Sequence, residues 1–309
     1  MASKAQGRKI AIIGASGHVG APALKTLLAQ GVHTITAVQR AEATSTIPSE
    51  VIVKTGNLED ESFLASAFQG QDVVVLAPPL PYIISIQEPA VRAAAKAGVP
   101  YILPAEFGPD PLAKWLIEEN QLLQNKKKMR DLIEELGVSS WISITVGAFL
   151  DANIQAGFWS IDAKNKKATI YSGANGKLST SSVAHTGQAA AAVLSLPEDD
   201  LAKYKNKPFY VPAFRLTQRE VLKAVQGATK TTDEDWKIVV QDIKDAFADC
   251  NAKIQQQDPL AGYFKFFLTH YQDDGGADFE HKVVASEVKK LHALGLQEES
   301  LEDVIKGSV

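Results

Sequence analysis

The sequence predicts an α/β protein built on a doubly wound parallel sheet. Short apolar runs alternate with helical stretches from residue 10 to residue 145, and a glycine-rich turn joins the first run to the first helix. Apolar residues make up 45% of the 309 and charged residues 22%, the balance of an ordinary compact protein. Such alternation implies right-handed βαβ crossovers and a sheet covered on both faces. The length allows one large domain carrying a smaller second lobe.

Residues 10–13 form the first apolar run, ending at Gly14, and residues 18–30 read as a helix closed by Gly31. A second strand covers 34–38 and ends at Arg40, a third covers 51–54 and a fourth 73–77. Between the last two, 62–68 is a helix ended by Gly70. Residues 89–97 form an alanine-rich helix stopped by Gly98, and strand 99–103 follows. One long helix then runs to Leu136 and Gly137, ahead of strand 140–145. Beyond Thr145 the pattern loosens: 168–171 is strand-like, 187–196 helical and 209–211 a short strand, and the last hundred residues read as mainly helical.

Thirty-two basic and thirty-six acidic side chains give a formal charge of −4, with no basic block to track a phosphate backbone, so nucleic acid is excluded as a partner. Cys250 is the only cysteine, which rules out an intrachain disulfide and suits a reducing compartment. The N-terminus runs almost at once into an apolar strand, leaving no room for a signal peptide. The longest oily stretch, 73–85, is cut by Pro78, Pro79 and Pro81 and falls short of the ~20 residues of a membrane span. A cytoplasmic protein is expected. The six histidines are scattered without paired-ligand spacing, so no metal site is expected.

The first turn reads Gly14-Ala15-Ser16-Gly17-His18-Val19-Gly20. Glycines there let the backbone turn tightly and approach a pyrophosphate, whose charge rests against free helix N–H groups and the positive end of the helix dipole. This predicts a Rossmann-type dinucleotide site, the alternative being a merely tight turn. A site that prefers NAD ends the second strand on an acid for the ribose hydroxyls, whereas this strand ends Gln39-Arg40. A guanidinium suits a 2′-phosphate, so NADPH/NADP+ is the expected cofactor. Asn57 is placed at the adenine edge. Ala77, Pro78 and Pro79 end the fourth strand beside the ribose and nicotinamide. The chain thus divides into 1–150, an NADP(H)-binding domain on which some later elements pack back, and 151–309, a smaller, mainly helical substrate lobe.

None of the seven tyrosines is followed four residues later by lysine, the pair that short-chain dehydrogenases use for proton transfer. The run Asn125-Lys126-Lys127-Lys128 lies on the long helix. At ~100° per residue, Lys126 falls within the arc of Leu122, Leu123, Met129, Ile133 and Leu136, with Arg130 at its margin. A desolvated lysine favours its neutral form and can act as a general base. The other reading is a lysine whose stem covers apolar surface.

Several of these stretches together resemble the isoflavone reductase-like and NmrA-like branch of the atypical short-chain dehydrogenases, fungal isoflavone reductase-like proteins among them. The resemblance rests on GASGHVG, Arg40, Gly56-Asn57-Leu58, Tyr101-Ile102-Leu103-Pro104-Ala105-Glu106-Phe107-Gly108, the lysine helix and Thr145-Val146-Gly147-Ala148-Phe149. Ala105 stands where related reductases have serine, and the following Pro109-Asp110-Pro111 lacks the histidine of some flavonoid-acting members. The resemblance implies an NADPH-dependent reductase of a small aromatic or conjugated metabolite. It also implies that Lys126 is the catalytic base, deprotonating a substrate phenol. The rival reading is an NmrA-type NADP(H)-sensing regulator acting through a protein partner, and the scaffold also permits isomerisation or elimination without net redox. A homodimer is one arrangement open to the chain.

The expected cofactor contacts are Gly14, Ser16, Gly17, His18, Val19 and Gly20 of the turn, then Arg40 and Asn57, then Ala77, Pro78, Pro79 and Glu106. Phe107, Gly108 and Phe149 are expected to line the substrate pocket. The aromatic segment 262–271 can join Phe158 and Trp159 around a flat substrate, with Tyr263 and Phe267 as its pocket residues, or form ordinary core of the second lobe.

Overall fold

A computed structural model describes residues 5–273 and 275–309. The start of the N-terminal lead, Met1 to Lys4, lies outside the described residues. The first domain runs β1 (Lys9–Ile13), α1 (Gly20–Gln30), β2 (Thr34–Arg40), β3 (Ile52–Gly56), α2 (Glu61–Phe68), β4 (Val73–Leu76), α3 (Gln87–Lys96) and β5 (Tyr101–Leu103). It continues with α4 (Lys114–Glu119), α5 (Gln121–Leu136) and β6 (Ser140–Thr145).

The chain then crosses between lobes through β7 (Ala148–Phe149), α6 (Leu150–Gln155), β8 (Ile161–Asp162), β9 (Lys167–Ser172), β10 (Leu178–Ser181), α7 (Val183–Leu194), α8 (Glu198–Leu201), β11 (Lys207–Tyr210) and β12 (Phe214–Leu216). It ends with α9 (Gln218–Thr229), β13 (Lys237–Asp242), α10 (Ile243–Gln255), α11 (Ala261–His270), α12 (Ala285–Ala293) and α13 (Leu301–Lys306).

Seven parallel strands form the main sheet in the order β11-β6-β5-β4-β1-β2-β3. The expected doubly wound α/β fold is present. Alternate residues of each central strand enter different cores: Ile10, Ile12, Val73 and Val75 join one, Ala11, Ile13, Val74 and Leu76 the other. A strand buried on both faces reads as a continuous apolar run, as these do. On the first face α7 lies so close to α1 that a Cβ on Gly187 would stand 2.5 Å from the Ala23 nitrogen. On the other face lie Leu64 and Phe68 of α2, Ala90 and Ala94 of α3 and Ile133 of α5.

Two differences from the sequence reading stand out. The long helix before β6 is two helices, because Asn120 is extended and donates its side-chain amide to the Leu116 carbonyl and the Thr269 hydroxyl. The second lobe carries two three-stranded sheets, β12-β10-β7 and β13-β9-β8, beside its helices. Beyond residue 150, β11 completes the main sheet and Ala190, Leu194, Leu196 and Leu291 join its core, so later elements pack back on the first domain.

Strand order reverses between β2 and β4 on either side of β1, and the crevice outside the carboxyl ends of strands at such a point is where open α/β sheets take ligands.

Candidate functional site

The turn between β1 and α1 packs against the end of β4. Gly14 has φ +86°, a conformation glycine adopts without strain, and a Cβ there would lie 2.1 Å from the Ala77 carbonyl oxygen. A Cβ on Gly20 would lie 2.0 Å from the Gly14 oxygen, and one on Gly17 3.2 Å from the same atom. The loop is thus folded on itself as tightly as backbone permits, and α1 opens with no side-chain cap over its N–H groups. A turn of this kind, at the uncapped start of a helix, is one that could hold a diphosphate.

The other expected contacts occupy several environments. Ser16 and His18 are exposed, and Ser16 is hydrogen-bonded to Ser45 in the β2–β3 connection at 3.0 Å. The Val19 side chain turns into the core, leaving only its backbone toward the crevice. Arg40 ends β2 opposite Gly56; its side chain is 61% exposed and, among the described residues, pairs only with Glu42 at 3.5 Å, a pair worth little in water. Its guanidinium is therefore available to an anion. The Asn57 carbonyl side chain accepts from the Glu59 N–H at 2.9 Å, forming a turn ahead of α2. Of the two prolines after Ala77, Pro78 is buried and Pro79 exposed.

Glu106 is a correction: it is 2% exposed and ion-paired with Arg130, because a buried carboxylate demands a counter-charge. Arg130 also donates to the Pro111 carbonyl at 2.8 Å and lies 5.6 Å over the Trp141 ring. Three further residues, not singled out in the sequence, fix this segment. Gln87 accepts from the Ala105 N–H at 2.7 Å, and Ser143, itself bonded to Thr145, donates to the Glu106 carbonyl at 3.1 Å. A glutamine at the start of an alanine-rich helix was the only signal the sequence held for Gln87.

One turn of α5 before Arg130, Lys126 is buried at 7% exposure, whereas Lys127 and Lys128 are exposed and Lys127 pairs with Asp131. Among the described residues its ammonium has neither hydrogen bond nor ion pair. It faces Gly108, whose Cβ would stand 3.6 Å from Nζ. The Gly108 carbonyl accepts from Val146 and Gly147 N–H at 3.1 and 2.9 Å, fixing this wall to the end of β6. Burial holds Lys126 below the ordinary lysine value, with Glu106 opposing and Arg130 adding to the effect.

The aromatic candidates separate. Trp159 is fully buried and Phe267 3% exposed, packed on each other and on Tyr271 in the core of the second lobe. They are corrected from pocket wall to core, because large aromatics on inward-facing positions are the cheapest area to bury. Phe158 and Tyr263 stack at the lobe surface with centroids 5.3 Å apart. Phe107 and Phe149 pack on the main core at the carboxyl ends of β5 and β6. Among the described residues no group of three or more His, Cys, Asp or Glu could hold a metal, and no helix is long and apolar enough to cross a membrane.

A model of the NmrA-like family matches residues 6–298. The oxidoreductase aprR of Aspergillus flavus is 26% identical over 309 residues, spanning 97% of this chain and 99% of that protein. Pinoresinol reductase 1 of Arabidopsis thaliana is 26% identical over 265 residues, spanning 76% of this chain and 78% of its own. Among solved structures, an isoflavone reductase superposes with a TM-score of 0.76 at 21% identity, covering 98% of this chain and 100% of the other. The complex of AtPrR2 with NADP+ and (+)pinoresinol gives 0.74 at 23% identity, covering 98% and 99%. At these identities the structural likeness is one of fold.

Proposed function

This chain belongs to the NmrA-like family, and we propose that it is an NADPH-dependent oxidoreductase that reduces a small aromatic or conjugated metabolite, with Lys126 as its base. The observation that carries the reading is the buried Lys126 ammonium, without a counter-ion among the described residues and facing Gly108 at the carboxyl edge of the sheet. Isolated buried charge is costly, and burial favours the neutral amine that a general base needs. The names of the relatives agree: aprR is an oxidoreductase, and AtPrR2 was solved with NADP+ and an aromatic ligand.

In this reading Gly14, Gly17 and Gly20 let the backbone close on the diphosphate, and Arg40 binds the 2′-phosphate. NADPH, when bound, would supply the hydride for the reduction. Lys126 takes the proton of a substrate phenol at Nζ, the phenolate expels a leaving oxygen from the benzylic carbon to give a quinone-methide-like acceptor, and the Nζ proton passes to that oxygen; the carbon, once reduced, carries a phenolate that takes its proton from solvent. Phe107 and Gly108 shape the wall that sets the substrate against the amine.

The test is Lys126→Ala, assayed for substrate-dependent NADPH oxidation across a panel of aromatic metabolites. A general base contributes about 10²–10⁴-fold, so kcat should fall by at least about a hundredfold while NADPH affinity stays unchanged. Turnover surviving in the variant would overturn the role of Lys126. A wild-type protein that binds NADPH but oxidises it with no member of the panel would favour the sensor reading instead.

A further inference from the structure

The wall against Lys126 is held from a second side, by a cluster far away in sequence. Asp110 follows Gly108 by two residues, and its carboxylate has no exposed area. It accepts from the Leu112 N–H at 2.9 Å and from the Tyr210 hydroxyl at 2.8 Å, and it is ion-paired with Lys282. Lys282 lies 5.6 Å over the Tyr210 ring, whose other neighbour is Phe279 at 5.4 Å. Tyr210 ends β11, and Lys282 closes the short turn Glu280–Lys282 that leads out of the second lobe into α12. The same loop touches that exit segment again at Gly276, where a Cβ would lie 2.7 Å from the Ala113 Cβ.

The segment carrying Gly108 is therefore clamped by Arg130 from α5 and by Tyr210 and Lys282 from the opposite side. A fully buried carboxylate that loses its cation moves toward water or draws in another partner, unless it takes up a proton. Either movement carries the loop, and with it Gly108, away from the amine. Tyr210 stands four strands from β1 in the sheet, about 19 Å at the usual strand spacing, so the dinucleotide cradle is out of reach of such a shift.

We propose that Asp110, Tyr210 and Lys282 are positioning residues that latch the exit of the second lobe to the loop facing Lys126 and so set where a substrate hydroxyl meets the amine. This rests on the reading of Lys126 as the base. A misplacement of about 1 Å can cost on the order of a hundredfold in rate, and a partial release of the loop a tenfold share of that.

The experiment compares the full-length wild type with Lys282→Met, Lys282→Arg, Tyr210→Phe and Lys126→Ala. Lys282→Met should lower kcat about tenfold with NADPH affinity unchanged. It should also speed amide exchange at Val146 and Gly147, whose N–H groups bind the Gly108 carbonyl. Lys282→Arg should restore most of both, and Tyr210→Phe, which keeps the ring, should show a smaller loss if Lys282→Met folds poorly. An unchanged kcat in folded Lys282→Met or Tyr210→Phe, beside an inactive Lys126→Ala, overturns the proposal. Should Lys126→Ala remain active, the base reading fails by itself. The exchange data then decide the latch: unchanged protection at Val146 and Gly147 overturns it, faster exchange upholds it.

Discussion

At Gly14 and Gly20 the candidate cofactor cradle comes down to single atoms. The Gly14 oxygen stands 2.0 Å from where a Gly20 Cβ would be, and the Ala77 oxygen 2.1 Å from a Gly14 Cβ, so neither position accepts any other residue without moving backbone. Arg40 is the opposite case: exposed and weakly paired, it is fixed by nothing but its place at the end of β2. If it holds the 2′-phosphate, Arg40→Ala loses a charge-assisted hydrogen bond worth about 1.5–3 kcal/mol. NADPH affinity should then fall ten- to a hundredfold while NADH affinity changes little. Calorimetric titration with both coenzymes checks this, and an equal loss for the two would remove Arg40 from the site.

At the scale of the elements, the burial of Lys126 was legible because α5 keeps a 3.6-residue period and its apolar positions fix its phase. The break at Asn120 was not, since the partner of its side-chain amide, Thr269, comes 149 residues later. β13 escaped for another reason: Val239 and Val240 are adjacent and both exposed, so the strand shows no alternation to read. Trp159 and Phe267 show that aromatic content does not distinguish a pocket from a core; only the inward direction of each side chain does. The Arg130–Glu106 pair was likewise hidden, yet it governs the electrostatics of α5. Arg130→Met should cost about 3–5 kcal/mol, because buried Glu106 loses the guanidinium bonded to it. It should also remove a positive neighbour of Lys126 and leave Glu106 as its counter-ion. The amine pKa then rises, and the acid limb of kcat/KM moves to higher pH. A profile that stays in place, in a variant that still folds, would show that the guanidinium has no influence on the lysine.

For the whole molecule, the second lobe is a unit whose core contains a titratable ring. His270 is 1% exposed, its Nδ1 bonded to the Phe266 carbonyl at 2.6 Å and its ring 4.0 Å from that of Phe266. Its Nε2 has no partner among the described residues. Burial lowers its pKa from 6.5 to about 4, with the Phe266 bond opposing. The folded state therefore keeps His270 neutral where the unfolded chain takes up a proton. The stability this gives is complete above about pH 6.5, declines as pH falls and levels off near pH 4, with a slope of about 1.4 kcal/mol per pH unit. His33 and His185, also held low by burial, act in the same direction. Urea denaturation of the wild type should show a loss of about 2 kcal/mol or more between neutrality and about pH 5. His270→Phe, which fills the same aromatic cluster without a titrating nitrogen, should flatten that dependence by about 2 kcal/mol. Parallel pH–stability curves for the two proteins would mean that the His270 ring is protonated within the folded lobe, and that water reaches a site the packing here closes to it.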